Sequence, residues 1–72
     1  MEQVYINIKK RREELGMTQR ELASACGYKD NTTIAKIEKG HVDISVGRLK
    51  QIAAILDIDP VTLMGWDDDG EE

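Results

Sequence analysis

The chain has 72 residues, 40% of them hydrophobic, and a net charge of −4, which is enough for one small core and too little for two. No apolar run reaches the roughly eighteen residues that a membrane span needs, and the opening MEQVY lacks the basic and apolar blocks of a signal peptide. A cytoplasmic protein with no membrane partner is therefore expected.

With no Phe, one Trp and two Tyr, the core must come from Ile, Leu, Val, Met and Ala, which suits packed helices better than a sheet. The fold class expected is all-α. The lone Cys26 cannot form an intramolecular disulfide, as in a reducing compartment. The acidic total also conceals an asymmetry: all ten Lys and Arg lie between Met1 and Lys50, against seven acids there, whereas Gln51 to Glu72 holds seven acids and no cation. A basic body with an acidic end fits a polyanion-facing side, although a solvated charged surface is the better reading on this fact alone.

Val4, Ile8 and Leu15 fall on one helical stripe that Gly16 closes, and Arg12 shares that stripe. TQRE follows, in which Thr18 and Glu21 have capping-box spacing. Leu22 and Cys26 share the inner face of the second helix, and Gly27 ends it. Asp30 is the expected N-cap of a third helix, which places Ile34, Ile37 and Glu38 inward and which Gly40 stops. Ser45 caps a fourth helix with the apolar stripe Leu49, Ile52, Ala53 and Leu56. Asp59 and Pro60 start a short fifth helix that ends at Gly65. Residues 1–66 are read as one domain and residues 67–72, DDDGEE, as an acidic tail expected to be disordered.

Arg12 and Glu38 carry opposite charges on apolar stripes of different helices, and either one buried alone would be prohibitively expensive. Pairing is the economical reading; the bland one is that both snorkel to solvent. On the third helix, Asn31, Thr32, Ala35, Lys36 and Lys39 form an outward face of short polar groups, one small residue and two cations. Asn offers a paired donor and acceptor to adenine, Lys donates to guanine, and Ala permits close approach to a base or a thymine methyl. Gln19, opening the second helix, lies within reach of a phosphate. Any such polar face taken alone is more often solvated surface. The order lifts it: capped helix, glycine turn, then a helix with an apolar inner side and a hydrogen-bonding outer side, which is helix-turn-helix logic.

These residues resemble the lambda-repressor-like (Cro/cI, XRE) helix-turn-helix family. IKKRREELGMTQRELA is similar to its first two helices, TIAKIEKG to its recognition helix and exit, and RLKQIAAILDIDPVTLMGWDD to its fourth and fifth helices. The resemblance implies a five-helix domain that binds double-stranded DNA as a bacterial or phage transcriptional regulator, a repressor dimer on a palindromic operator. It implies a backbone contact at Gln19, base-reading positions at Asn31, Thr32 and Lys36, and a structural pair at Arg12 and Glu38. LMGWDDD is similar to the close of the DNA-binding domain in phage repressors, which leaves room for a C-terminal domain or a partner protein not contained in these residues. An antitoxin or restriction-controller use of the same fold is the near alternative, and a helical protein-interaction module without DNA binding is the alternative from another class.

Dimerisation is expected through Val61, Leu63, Met64 and Trp66, apolar groups in excess of what so short a helix need bury. No cofactor, metal or enzymatic activity is expected. Cys26 sits on an apolar stripe as a small core residue and His41 in a loop, and DDDG lacks the distal Glu of a calcium loop.

Overall fold

The shape of the domain follows from where its helices are capped. A computed structural model describes residues 2–65, and among them the chain forms five α-helices and no strand: α1 (Glu2–Glu14), α2 (Gln19–Cys26), α3 (Thr32–Glu38), α4 (Val46–Ile55) and α5 (Pro60–Met64). Trp66 and the acidic tail, with the boundary drawn between them, lie outside the described residues.

Three N-termini are closed by local side chains. Thr18 and Glu21 form a reciprocal capping box: the Thr18 amide donates to Glu21 Oε1 at 2.8 Å, and the Glu21 amide to Thr18 Oγ1 at 3.0 Å. Ser45 Oγ accepts the Arg48 amide at 3.1 Å, and Asp59 accepts the amides of Val61 and Thr62. The third helix departs from expectation. Its N-cap position is Asn31, whose side chain makes no cap bond; Asp30, one residue earlier, accepts the Thr32 amide at 2.9 Å instead.

Two glycines are fixed by their backbone. Gly27 ends α2 at φ 87°, a conformation that a side chain rarely adopts. Gly40 leaves α3 at φ 75°, and a Cβ there would also stand 3.2 Å from the Tyr5 ring. Leu15 does not extend the apolar stripe of α1. The helix stops at Glu14, the Gly16 and Met17 amides fold back onto the Glu13 and Arg12 carbonyls, and Leu15 is 41% exposed.

The core lies between α1, α3, α4 and α5 and under α2. Ile8, Leu22, Ile34, Ile52, Leu56 and Leu63 are fully buried in it, with α2 packed on α3 and α4, and α1 packed on α3 and α5. Arg11, absent from the sequence expectations, ties α1 to the end of α4: its Nε donates to the Leu56 carbonyl at 2.9 Å and its Nη2 to that of Asp57 at 3.2 Å. No helix among the described residues is long and apolar enough to cross a membrane, and no group of three or more His, Cys, Asp or Glu among them is placed to hold a metal ion.

Cys26 belongs to the core. Burial raises its thiol pKa, a shift that nearby Arg48 opposes, so little thiolate forms in the native state. Cys26 in the native protein is expected to react with iodoacetamide at mildly alkaline pH at least about tenfold more slowly than in the denatured chain. Equal rates by mass spectrometry would show that the end of α2 opens freely.

Candidate nucleic-acid interface

Helix α3 is short, and its two sides differ sharply. Ile34 and Ile37 face the core, and the Glu38 side chain, 3% exposed, is held there too. Thr32, Lys36 and Lys39 are exposed, while Asn31 and Ala35 are half-buried. Thr32 and Lys36 are four residues apart, as are Ala35 and Lys39, so the three exposed side chains and the half-buried Ala35 follow one side of the helix in a strip. Gln19, the first residue of α2, is half-buried beside the start of that strip.

The strip is anchored from below by the ion pair. Arg12 donates from Nε to Glu38 Oε2 at 2.7 Å and from Nη2 to Oε1 at 3.1 Å, and its Nη1 donates to the Met17 carbonyl at 2.7 Å. This two-point geometry joins α1 to the end of α3. The hydrogen bond to Glu38 raises the Arg12 pKa against the opposing effect of burial, so the cation is retained. Gln19 Nε2 also donates to Glu38 Oε1, at 3.1 Å, and Asn31 Nδ2 donates to Gln19 Oε1, at 3.3 Å. Four residues far apart in sequence thus form one chain of bonds from the core to the start of α3. No buried side-chain polar atom among the described residues is left without a partner.

Arg20 and Arg48 do not figure among the sequence-derived positions. Arg20 is exposed, one residue after Gln19, and adds a cation to the margin of the strip. It also helps to hold the Asp30 carboxyl below its ordinary range, although the main cause there is the Thr32 backbone N–H. The exposed cation at the second position of a capped helix was the available signal. Arg48 lies over the Tyr28 ring, 4.8 Å from its centroid, and donates to the Cys26 carbonyl at 3.3 Å, fastening the turn before α3 to α4. Its role rests on a contact between distant segments, which no local pattern announces.

The residues expected at a dimer interface divide. Val61 is 40% exposed and Met64 half-buried. Leu63 is fully buried in its own domain, so its place in the expected interface is corrected: it is a core residue, and Met64 packs partly against the same core. Trp66 lies outside the described residues.

A polar and cationic helix face, held by a capped helix across a glycine turn, is the arrangement that docks in a major groove. The comparisons agree with that geometry. The helix-turn-helix family model matches residues 8–63. The restriction-modification controller protein C.AhdI from Aeromonas hydrophila is 27% identical, with a TM-score of 0.76, over 83% of this chain and 86% of that one. The hypothetical transcription factor NHTF from Neisseria is 28% identical, with a TM-score of 0.77, over 86% of this chain and 71% of that one. No curated protein matches the chain significantly. With a match over most of its length and the helix order that the family requires, the chain belongs to the lambda-repressor-like (XRE, Cro/cI) helix-turn-helix family of DNA-binding regulators.

Proposed function

We propose that the protein represses transcription by binding a palindromic operator as a dimer, with α3 reading the major groove. The observation that carries this reading is the exposed strip of Thr32, Lys36 and Lys39 beside Gln19 and Asn31, on a helix whose other side is locked to the core. In this reading Asn31, Thr32 and Lys36 face base edges, Ala35 allows close approach, and Gln19 and Lys39 face phosphates. Val61, Met64 and Trp66 meet their counterparts across the two-fold axis, which sets half-sites about 10 bp apart so that both recognition helices enter one face of the duplex. The cytoplasm is the compartment in which such a regulator works.

A second use of the same DNA face, as a restriction-modification controller, is favoured by the similarity to C.AhdI along most of that protein's length. The two uses share every contact to DNA and differ in the genes beside the binding site.

The test compares two lysines. Lys36→Ala is expected to cost about 1–3 kcal/mol on the preferred site and to relax the preference at one base pair per half-site, with little change on random duplex. Lys39→Ala is expected to weaken all sequences alike and to flatten the salt dependence by about one unit per contact. Titrations of both variants at several salt concentrations separate these signatures. Wild-type protein that retards no duplex, or binds without salt dependence, would sink the DNA reading in favour of a protein-interaction module.

A further inference from the structure

The bonds that run from the core to the start of α3 have a direction, and a carboxylate sets it. Glu38 accepts from Arg12 with both oxygens and from Gln19 with Oε1. A carboxylate only accepts. Gln19 can therefore face Glu38 only with its NH2 group, which turns the Gln19 carbonyl the other way, where it accepts from Asn31 Nδ2 at 3.3 Å. Asn31 sits at the N-cap position without capping: its backbone, at φ −87° and ψ 3°, is not extended as a capping residue's is, and its side chain makes no cap bond. One N–H of Asn31 is thus committed inward. Its carbonyl oxygen and one N–H are left for a partner, an acceptor and a donor in fixed order.

That residual pair discriminates between purines. In the major groove adenine presents the N6 amino donor and the N7 acceptor, which match one acceptor and one donor; guanine presents two acceptors, O6 and N7, against which a fixed carbonyl oxygen is repelled. We infer that Glu38 is a specificity-determining positioning residue: acting through Gln19, it fixes the orientation of the Asn31 amide and so makes Asn31 choose adenine over guanine. The inference rests on the reading above, in which Asn31 faces a base edge. The ion pair then has two tasks, joining α1 to α3 and setting the polarity of a base contact.

The chain of bonds predicts what its loss would do. Arg12 only donates, and it donates to both Glu38 oxygens, of which Oε1 is shared with Gln19. The amide introduced by Glu38→Gln has one carbonyl for these two places, so it no longer dictates which end of Gln19 faces it. With its NH2 group toward Gln19 the order reverses and Asn31 is left with two outward N–H groups, which match guanine; with its carbonyl there the adenine-matching order is kept. Gln19→Met leaves the ion pair in place and removes the link altogether.

The experiment selects bound duplexes from a random pool for wild type, Asn31→Ala, Gln19→Met and Glu38→Gln, with folding checked by circular dichroism. Asn31→Ala identifies the base pair concerned. Wild type is expected to favour adenine over guanine there by about tenfold or more. Gln19→Met should bring that ratio to within about threefold of unity, and Glu38→Gln should lower it as well, with the pair that answers to Lys36 unmoved in both. A folded Glu38→Gln or Gln19→Met that keeps the wild-type ratio overturns the proposal, as does a wild-type preference for guanine at that pair. Should Glu38→Gln fail to fold, Gln19→Met decides. If Asn31→Ala relaxes one pair while Gln19→Met leaves that pair alone, the positioning role falls and the base-reading role of Asn31 stands. If Asn31→Ala relaxes no pair, both fall, and if wild type selects no sequence at all, the operator-binding reading falls with them.

Discussion

Replacing Arg12 or Glu38 by alanine is expected to destabilise the domain by about 3–5 kcal/mol, the usual consequence of leaving one member of a buried pair without its counter-charge. The side chains are 9% and 3% exposed, so neither remaining charge regains much water. Glu13 lies 3.9 Å from Arg12 but is itself 58% exposed, and a solvated carboxylate at that distance is a weak substitute. A domain of this size has about 4–11 kcal/mol of stability in all, so either single variant should be largely unfolded on mild warming. The double variant Arg12→Ala with Glu38→Ala should lose less than the sum, since no charge is left to desolvate alone. Urea melts of the four proteins measure the coupling. Small, additive losses would mean that the pair is effectively solvated and does not pin α3 to α1.

How much of this was legible in the sequence depended on how local the determinant is. Thr18 with Glu21, Ser45, and Asp59 with Pro60 announce helix starts because the capping side chain and the amide it serves are neighbours in the chain. The family resemblance and the five-helix order hold for the same reason, repeated over most of the chain. The misses are of another kind. Leu15 continues the helical spacing, but the fold-back at Gly16 removes it from the core. In YKDNTT either Asp30 or Asn31 has cap chemistry, and the backbone decides: Asn31 is not extended as a capping residue is, whereas Asp30 reaches the Thr32 amide. Arg11 and Arg48 act on carbonyls 45 and 22 residues distant, and nothing in their own neighbourhoods marks them. The face of a five-residue helix is equally illegible from periodicity, since so short a stretch does not repeat, and Leu63 is not distinguished from Val61 by spacing.

Leu63→Ala is therefore expected to behave as a core truncation, costing about 2–5 kcal/mol, with the lost transfer energy of the side chain and the cavity left behind both contributing. The residue is fully buried, and its backbone is fixed as well, because Asn7 Nδ2 donates to the Leu63 carbonyl at 2.8 Å. The short helix α5 packs on α1 and α4, so the surroundings have little freedom to collapse into the space. Val61→Ala, on the exposed side of the same helix, should change the stability of the monomer by no more than about 0.5 kcal/mol. Protein concentration separates the two roles. A core residue lowers the unfolding midpoint equally in dilute and concentrated solution, whereas an interface residue lowers it only where the dimer is populated. The Leu63→Ala loss should persist undiminished in dilute protein, and any Val61→Ala loss should appear only at high concentration or on a palindromic duplex. A Leu63→Ala loss that disappears on dilution would return Leu63 to the dimer interface and leave α5 docked on α1 mainly through Asn7.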